Sequence, residues 1–78
     1  MNIEHLVRMA NDIGAFFSGE PNREEAARNI HFHLRRFWEP RMRAQIIAHY
    51  RAGGAGLDES VRDAVALLVE EAKETAAG

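Results

Sequence analysis

Four histidines are the first residues in this chain whose type could do chemistry: His5, His31, His33 and His49. His31 and His33 lie closest, but on a helix a two-residue step turns side chains about 160° away from each other. A shared metal ion would need them three or four positions apart, on one face. His5 and His49 have no second ligand at a suitable spacing. All four therefore read as core-edge or solvated side chains. Hydroxyl nucleophiles are confined to Ser18, Tyr50, Ser60 and Thr75, none of them in a nucleophile-elbow pattern. Acid–base chemistry needs enclosed carboxylates with perturbed pKa values, whereas Glu24-Glu25 and Glu70-Glu71 read as solvated helix faces. The run Gly53-Gly54-Ala55-Gly56 lacks both the lysine of a phosphate-binding loop and the preceding strand of a dinucleotide fold. It reads as a helix stop and hinge. With no cysteine, disulfides, thiolate metal sites and thiol chemistry are excluded, and the absence suits a reducing compartment. No catalytic, metal or cofactor site is expected in this chain.

What remains is recognition. The cations are nine arginines and a single lysine, Lys73. Arginine favours desolvated, bidentate contacts, so the bias points to an interface, although a GC-rich genome would leave the same mark. The formal net charge is −2 with histidine neutral, which gives no global attraction to nucleic acid or to an anionic membrane. No apolar run approaches the roughly 18 residues of a membrane span. The start, Met1 to His5, has neither the basic residues nor the apolar block of a signal peptide. A cytoplasmic location is expected. With 78 residues, the chain is expected to form one domain, 1–78, with little surplus stability and a use for a partner.

The elements that must position these residues are helices, because the apolar spacing follows a helical period throughout. The first helix is expected over about 3–17. Asn2 is its N-cap, and Ile3, Leu6, Val7, Ala10, Ile13 and Phe17 form its stripe. Met9 and Phe16 widen that stripe to about half the circumference. Gly19 is placed to end it in a left-handed conformation. The second helix, about 22–38, opens on Asn22 with Glu25 in capping-box register. It buries Ala26, Ala27, Ile30, Leu34 and Phe37, with Trp38 at the border of the apolar face. The third, about 41–52, has Pro40 in its first turn and groups Met42, Ile46, His49 and Tyr50. The fourth, about 59–74, has Asp58 as N-cap and a stripe from Val61 through Ala64, Val65, Leu68 and Val69 to Ala72; the last residues should fray. The fold class is all-α, a small antiparallel bundle of about four helices, with Pro40 offering a sharp corner between the second and third.

On this frame Phe32 falls near 200° from Ile30, on the outer face of the second helix, among Arg28, Arg35, Arg36 and Glu25. An exposed aromatic ringed by arginines has the composition of an interaction hot spot; the alternative is that another helix or the C-terminal tail covers it. Around Trp38 and Pro40 stand Arg35, Arg36, Arg41 and Arg43. They are expected either to face a partner or to cap carbonyls at the helix end. The surplus apolar residues of the first helix, Met9 and Phe16, suit a docking surface or a deep core helix. The expected partner-binding residues are thus Met9, Phe16, Phe32, Arg35, Arg36, Trp38, Arg41 and Arg43.

Three blocks together resemble a known family. They are residues 6–17 (LVRMANDIGAFF), residues 33–43 (HLRRFWEPRMR) and residues 52–58 (AGGAGLD). In this order they are similar to the delta subunit of the multi-subunit, NAD-dependent, molybdenum- or tungsten-containing formate dehydrogenase, and Phe37-Trp38-Glu39-Pro40-Arg41-Met42-Arg43 is the most specific part. The resemblance implies a non-catalytic accessory subunit of a complex that oxidises formate to carbon dioxide and reduces NAD. It implies a large alpha subunit carrying bis-molybdopterin guanine dinucleotide and iron–sulfur clusters, beta and gamma subunits carrying FMN and further clusters, and no redox centre in this chain. Docking on the large subunit would support assembly or stability. Two alternatives stand beside it: a transient assembly or cofactor-insertion chaperone for the same enzyme, and a small nucleic-acid-binding domain in which Arg35, Arg36, Arg41 and Arg43 meet phosphates while Trp38 stacks on a base. Self-association of the isolated chain is a further expectation if apolar surface is left uncovered.

Overall fold

A computed structural model describes residues 2–77, and the side chains of residues 2–74. The described residues form four helices: α1 (Ile3–Phe16), α2 (Arg23–Phe37), α3 (Pro40–Arg51) and α4 (Glu59–Ala77). α4 continues to Ala77, past the end expected near residue 74, so the fraying expected there is not seen; Gly78 lies outside the described residues.

Local chemistry sets the helix ends. Asn2 Oδ1 accepts the Glu4 N–H at 2.7 Å and Asn22 Oδ1 accepts the Glu25 N–H at 2.9 Å, each satisfying a donor the first turn leaves unpaired. The reciprocal half of the capping box comes from Glu20, whose Oε1 accepts the Asn22 N–H at 3.1 Å; Glu25 turns instead to Arg28. Pro40 opens α3. Gly53 and Gly54 close it: their N–H groups reach the carbonyls of Tyr50 at 3.0 Å and His49 at 2.9 Å, with φ of 121° and 65°. This crossed pair is the Schellman arrangement. At the end of α1 the sequence expectation is corrected. Gly19 is not among the positive-φ residues, which are Gly53, Gly54 and Gly56. The chain leaves α1 through right-handed turns, with Ser18 N–H to the Ala15 carbonyl at 3.2 Å and Glu20 N–H to the Phe17 carbonyl at 3.1 Å, so no left-handed residue is required there.

The helices close around one core in which Leu6, Ile30, Leu34, Ile46, Val61 and Val65 are fully buried. The most extensive pairing joins α2 to α4. These two run in the same direction, as charged contacts at both ends show. Arg23 near the start of α2 pairs with Asp63 at 2.7 Å and Glu59 at 2.6 Å near the start of α4. Further along, His31 and Arg35 both reach Glu71, the latter at 3.0 Å. Such alignment follows when α3 reverses the chain between them. By contrast α2 and α3 scarcely touch each other, so the short link through Trp38 and Glu39 is a corner and not a hairpin.

That corner overturns two expectations. Trp38 is buried, at 5% exposure, and Phe37 is exposed, at 66%. The helical wheel puts Phe37 on the apolar face and Trp38 only at its border, the latter because it carries Trp38 on as a helical residue. In fact Trp38 and Glu39 take extended angles (φ −87°, ψ 140° and φ −67°, ψ 151°), as the residues leading into a proline do. Leaving the helix swings the indole into the same core cluster as Leu34 and Ile46. Phe37, the last helical residue, stays in solvent, its ring against His33 and Arg36 of its own helix.

Candidate partner-docking surface

Four rings form a continuous row over the ends of α1 and α2. Phe16 and Phe17 meet edge to face, with centroids 5.0 Å apart and planes at 88°. Phe17 meets His33 at 6.4 Å and 70°, and His33 meets Phe37 at 4.7 Å and 43°. The row exists because Phe16 and Phe17 end α1 while His33 and Phe37 stand one turn apart on α2, so each helix contributes adjacent rings. Its two ends are open to solvent, Phe16 at 81% exposure and Phe37 at 66%; Phe17 and His33 are half-buried. The Arg36 guanidinium carbon lies 5.8 Å from the Phe37 ring centroid, within the range of a cation–π contact.

On the far side of Arg36 stands Phe32, exposed at 61%. Neither another helix nor the described part of the tail covers it. With His31, Arg35 and Arg36 it lines a shallow depression on the outer face of α2. Arg36 therefore sits between two exposed aromatic rings, and it has no acidic partner among the described residues. Large exposed aromatic side chains grouped in this way mark an interaction surface in a folded domain.

The eight residues expected to bind a partner separate into groups. Phe16, Phe32 and Arg36 lie on or beside this surface. Arg41 is exposed at the start of α3, with no acidic partner among the described residues. Arg35 is exposed but committed to Glu71 across to α4. Met9 is half-buried and packs against the core. Arg43 caps the end of α2, donating to the carbonyl of Trp38 and, at 3.1 Å, to that of Arg35. Trp38 belongs to the core. Sequence reasoning missed three members of the row, Phe17, His33 and Phe37. The signal available was the four-residue spacing of His33 and Phe37 on α2; the contact to Phe17 is tertiary and leaves no mark in the sequence.

The histidines have local roles. His31 pairs with Glu71, His33 joins the aromatic row, and His49 Nε2 lies 2.7 Å from the Ala55 carbonyl oxygen in the glycine-rich loop. The loop is held from two further sides. Asn11 donates to the Gly56 carbonyl at 2.8 Å and accepts the Asp58 N–H at 2.9 Å. Arg62 donates to the carbonyls of Gly53 and Gly54 at 3.0 and 2.9 Å. These bonds occupy backbone carbonyls that a mobile loop would leave to water.

The fold and this surface define a small all-helical protein whose distinguishing feature is an exposed aromatic and arginine patch. The chain belongs to the family of the NADH-dependent formate dehydrogenase delta subunit, FdsD, whose model it matches over residues 5–65 of its 78. The match runs from inside α1 to inside α4 and takes in all three blocks that carry the resemblance. No curated protein and no solved structure matches the chain. Among the described residues, no helix is long and apolar enough to cross a membrane.

Proposed function

We propose that this chain is a non-catalytic accessory subunit of NAD-dependent formate dehydrogenase that docks on the large, molybdopterin-containing subunit and supports assembly or stability of the complex. Family membership supplies the enzyme. The observation that carries the docking role is the exposure of Phe16, Phe32 and Phe37, while the other large apolar side chains among the described residues are buried or half-buried. Covering those rings against a partner removes apolar surface from water and stabilises both the small domain and the assembly by mass action. The redox groups, bis-molybdopterin guanine dinucleotide, iron–sulfur clusters and FMN, belong on this reading to the alpha, beta and gamma subunits, in the cytoplasm. The nucleic-acid alternative is weakened at one point: its stacking residue, Trp38, is buried, and Arg35 and Arg43 are engaged within the chain.

Purifying the complex through a tag on the large subunit tests the proposal. One copy of this chain per large subunit is expected, together with less intact complex when the chain is deleted. A chain needed during synthesis but missing from the mature complex would make it an assembly chaperone instead. A chain neither present nor needed would overturn the reading.

A further inference from the structure

We propose that the row Phe16–Phe17–His33–Phe37, with Arg36 beside it, receives an acidic amphipathic segment of a partner subunit, one whose apolar side chains cover the rings and whose carboxylate pairs with Arg36. The inference rests on the accessory-subunit reading and adds which surface is used and what chemistry fits it.

The apolar half of the argument is the row itself. Its terminal rings are exposed at 81% and 66%, and the rings contact each other edge to face or tilted, an arrangement that leaves aromatic surface available to aliphatic side chains. The charged half is the distribution of ion pairs. Arg23, Arg28 and Arg35 meet carboxylates of this chain, and Arg43 and Arg62 donate to backbone carbonyls. Of the arginines without a carboxylate partner among the described residues, Arg36 is the one that stands against a ring of the row. A guanidinium held beside a ring keeps N–H donors free for a carboxylate, and burial of that pair under a partner would strengthen it relative to water.

A second copy of the chain fits less well. A two-fold contact sets the same residues on both sides; none of the four rings or Arg36 supplies a carboxylate, and Glu20, which lines a depression with Phe17, stands by a different ring of the row from the one Arg36 covers. A different, acidic sequence supplies the counter-charge to Arg36 directly.

The test uses the co-expressed complex with F16S/F37S, R36E and R36Q variants of this chain. Both phenylalanines are exposed, so the isolated double variant is expected to stay folded and to unfold cooperatively, with its melting temperature lowered by a few degrees at most by the lost ring contacts. Its retention in the complex is expected to fall at least about tenfold, a loss typical of removing hot-spot residues. R36E is expected to lose more than R36Q, and retention of the wild-type chain is expected to weaken as salt rises. The inference is overturned if both F16S/F37S and R36E are retained like wild type, or if retention ignores both salt and charge reversal. It is also overturned if the isolated chain forms a dimer that F16S/F37S dissolves while retention is unchanged. A wild-type chain that never co-purifies sinks the accessory reading itself; a wild-type chain retained alongside its variants sinks only the assignment of this surface.

Discussion

Gly14 and Val61 meet where α1 packs on α4: a Cβ built on Gly14 would lie 2.6 Å from Val61 Cγ2. Both residues are buried, Val61 completely, and a valine methyl held in a packed core has no flexible arm with which to retreat. Gly14→Ala gains about 1 kcal/mol of helix propensity but incurs an overpacking cost of about 1–3 kcal/mol. The expected outcome is a net loss of stability and a melting temperature lower by several degrees, since about 1 kcal/mol moves a domain of this size by roughly 4–8 °C. A double-mutant cycle with Val61→Ala should show coupling above about 0.5 kcal/mol. Gly14→Ala melting at or above wild type would contradict the close approach.

Phe37 and Trp38 are neighbours with opposite fates, and truncation should separate them. Trp38→Ala removes a buried indole and is expected to cost about 3–5 kcal/mol, enough to unfold much of a marginally stable domain. Phe37→Ala is expected to cost less than about 1 kcal/mol, as an exposed side chain does. Trp38 is the single tryptophan, so its fluorescence reports directly. Native emission should be blue-shifted and resist iodide quenching, and unfolding should reverse both. Ready quenching in the native protein would place the indole outside the core.

The glycines also divide. Gly54 has φ +65°, and a Cβ there would lie 2.9 Å from Arg62 Nη1, the nitrogen that bonds the Gly53 carbonyl. Gly54→Ala is expected to cost about 1–2 kcal/mol through left-handed strain alone, with disturbance of the Arg62 contacts added. Nothing lies within 4 Å of a Cβ at Gly19, and its φ is not positive. Gly19→Ala should be neutral or stabilising by up to about 1 kcal/mol. Urea unfolding of the two variants, with m-values compared, checks the contrast; equal losses would mean that Gly19 does need the left-handed region.

Arginines at the corner should differ in the same way. Arg43 satisfies carbonyls at the end of α2, so Arg43→Ala is expected to cost about 1–2 kcal/mol. Arg41 is exposed with no acidic partner among the described residues, and Arg41→Ala should lie within about 0.5 kcal/mol of wild type. Charge reversal at Arg43 is therefore a poor probe of docking, since it disturbs the corner that holds Trp38. Thermal melts of the two alanine variants decide the point, and matching melts would remove Arg43 from its capping role.

Much of this molecule was legible in the residue order. Asn2, Asn22 and Pro40 act within a single turn, so their roles as helix starts follow from residue type and position. The stripe of α4, and that of α2 up to Leu34, read correctly because Ile30, Leu34, Val61, Val65 and Leu68 recur at helical spacing with another helix packed across from them. The blocks at 6–17, 33–43 and 52–58 carried the family. Phe32 also read correctly, as an aromatic on the outer face of α2.

Only the tertiary structure decided what happens where the helical period stops or where two helices meet. A wheel drawn for α2 extends Trp38 along a path the backbone leaves, so it puts a core indole at the border of the apolar face, and it puts Phe37 on that face without showing that nothing packs over it. It also cannot show that Glu71 arrives from α4 to occupy Arg35, that the corner carbonyls take Arg43, or that Phe17, just past α1, meets His33 of α2 edge-on. Helical periodicity is imposed by hydrogen bonds spanning four residues, which the sequence determines locally. Burial and ion pairing depend on what stands across the gap, and that is fixed by the packing of segments some 40 positions apart, as Arg23 and Asp63 are.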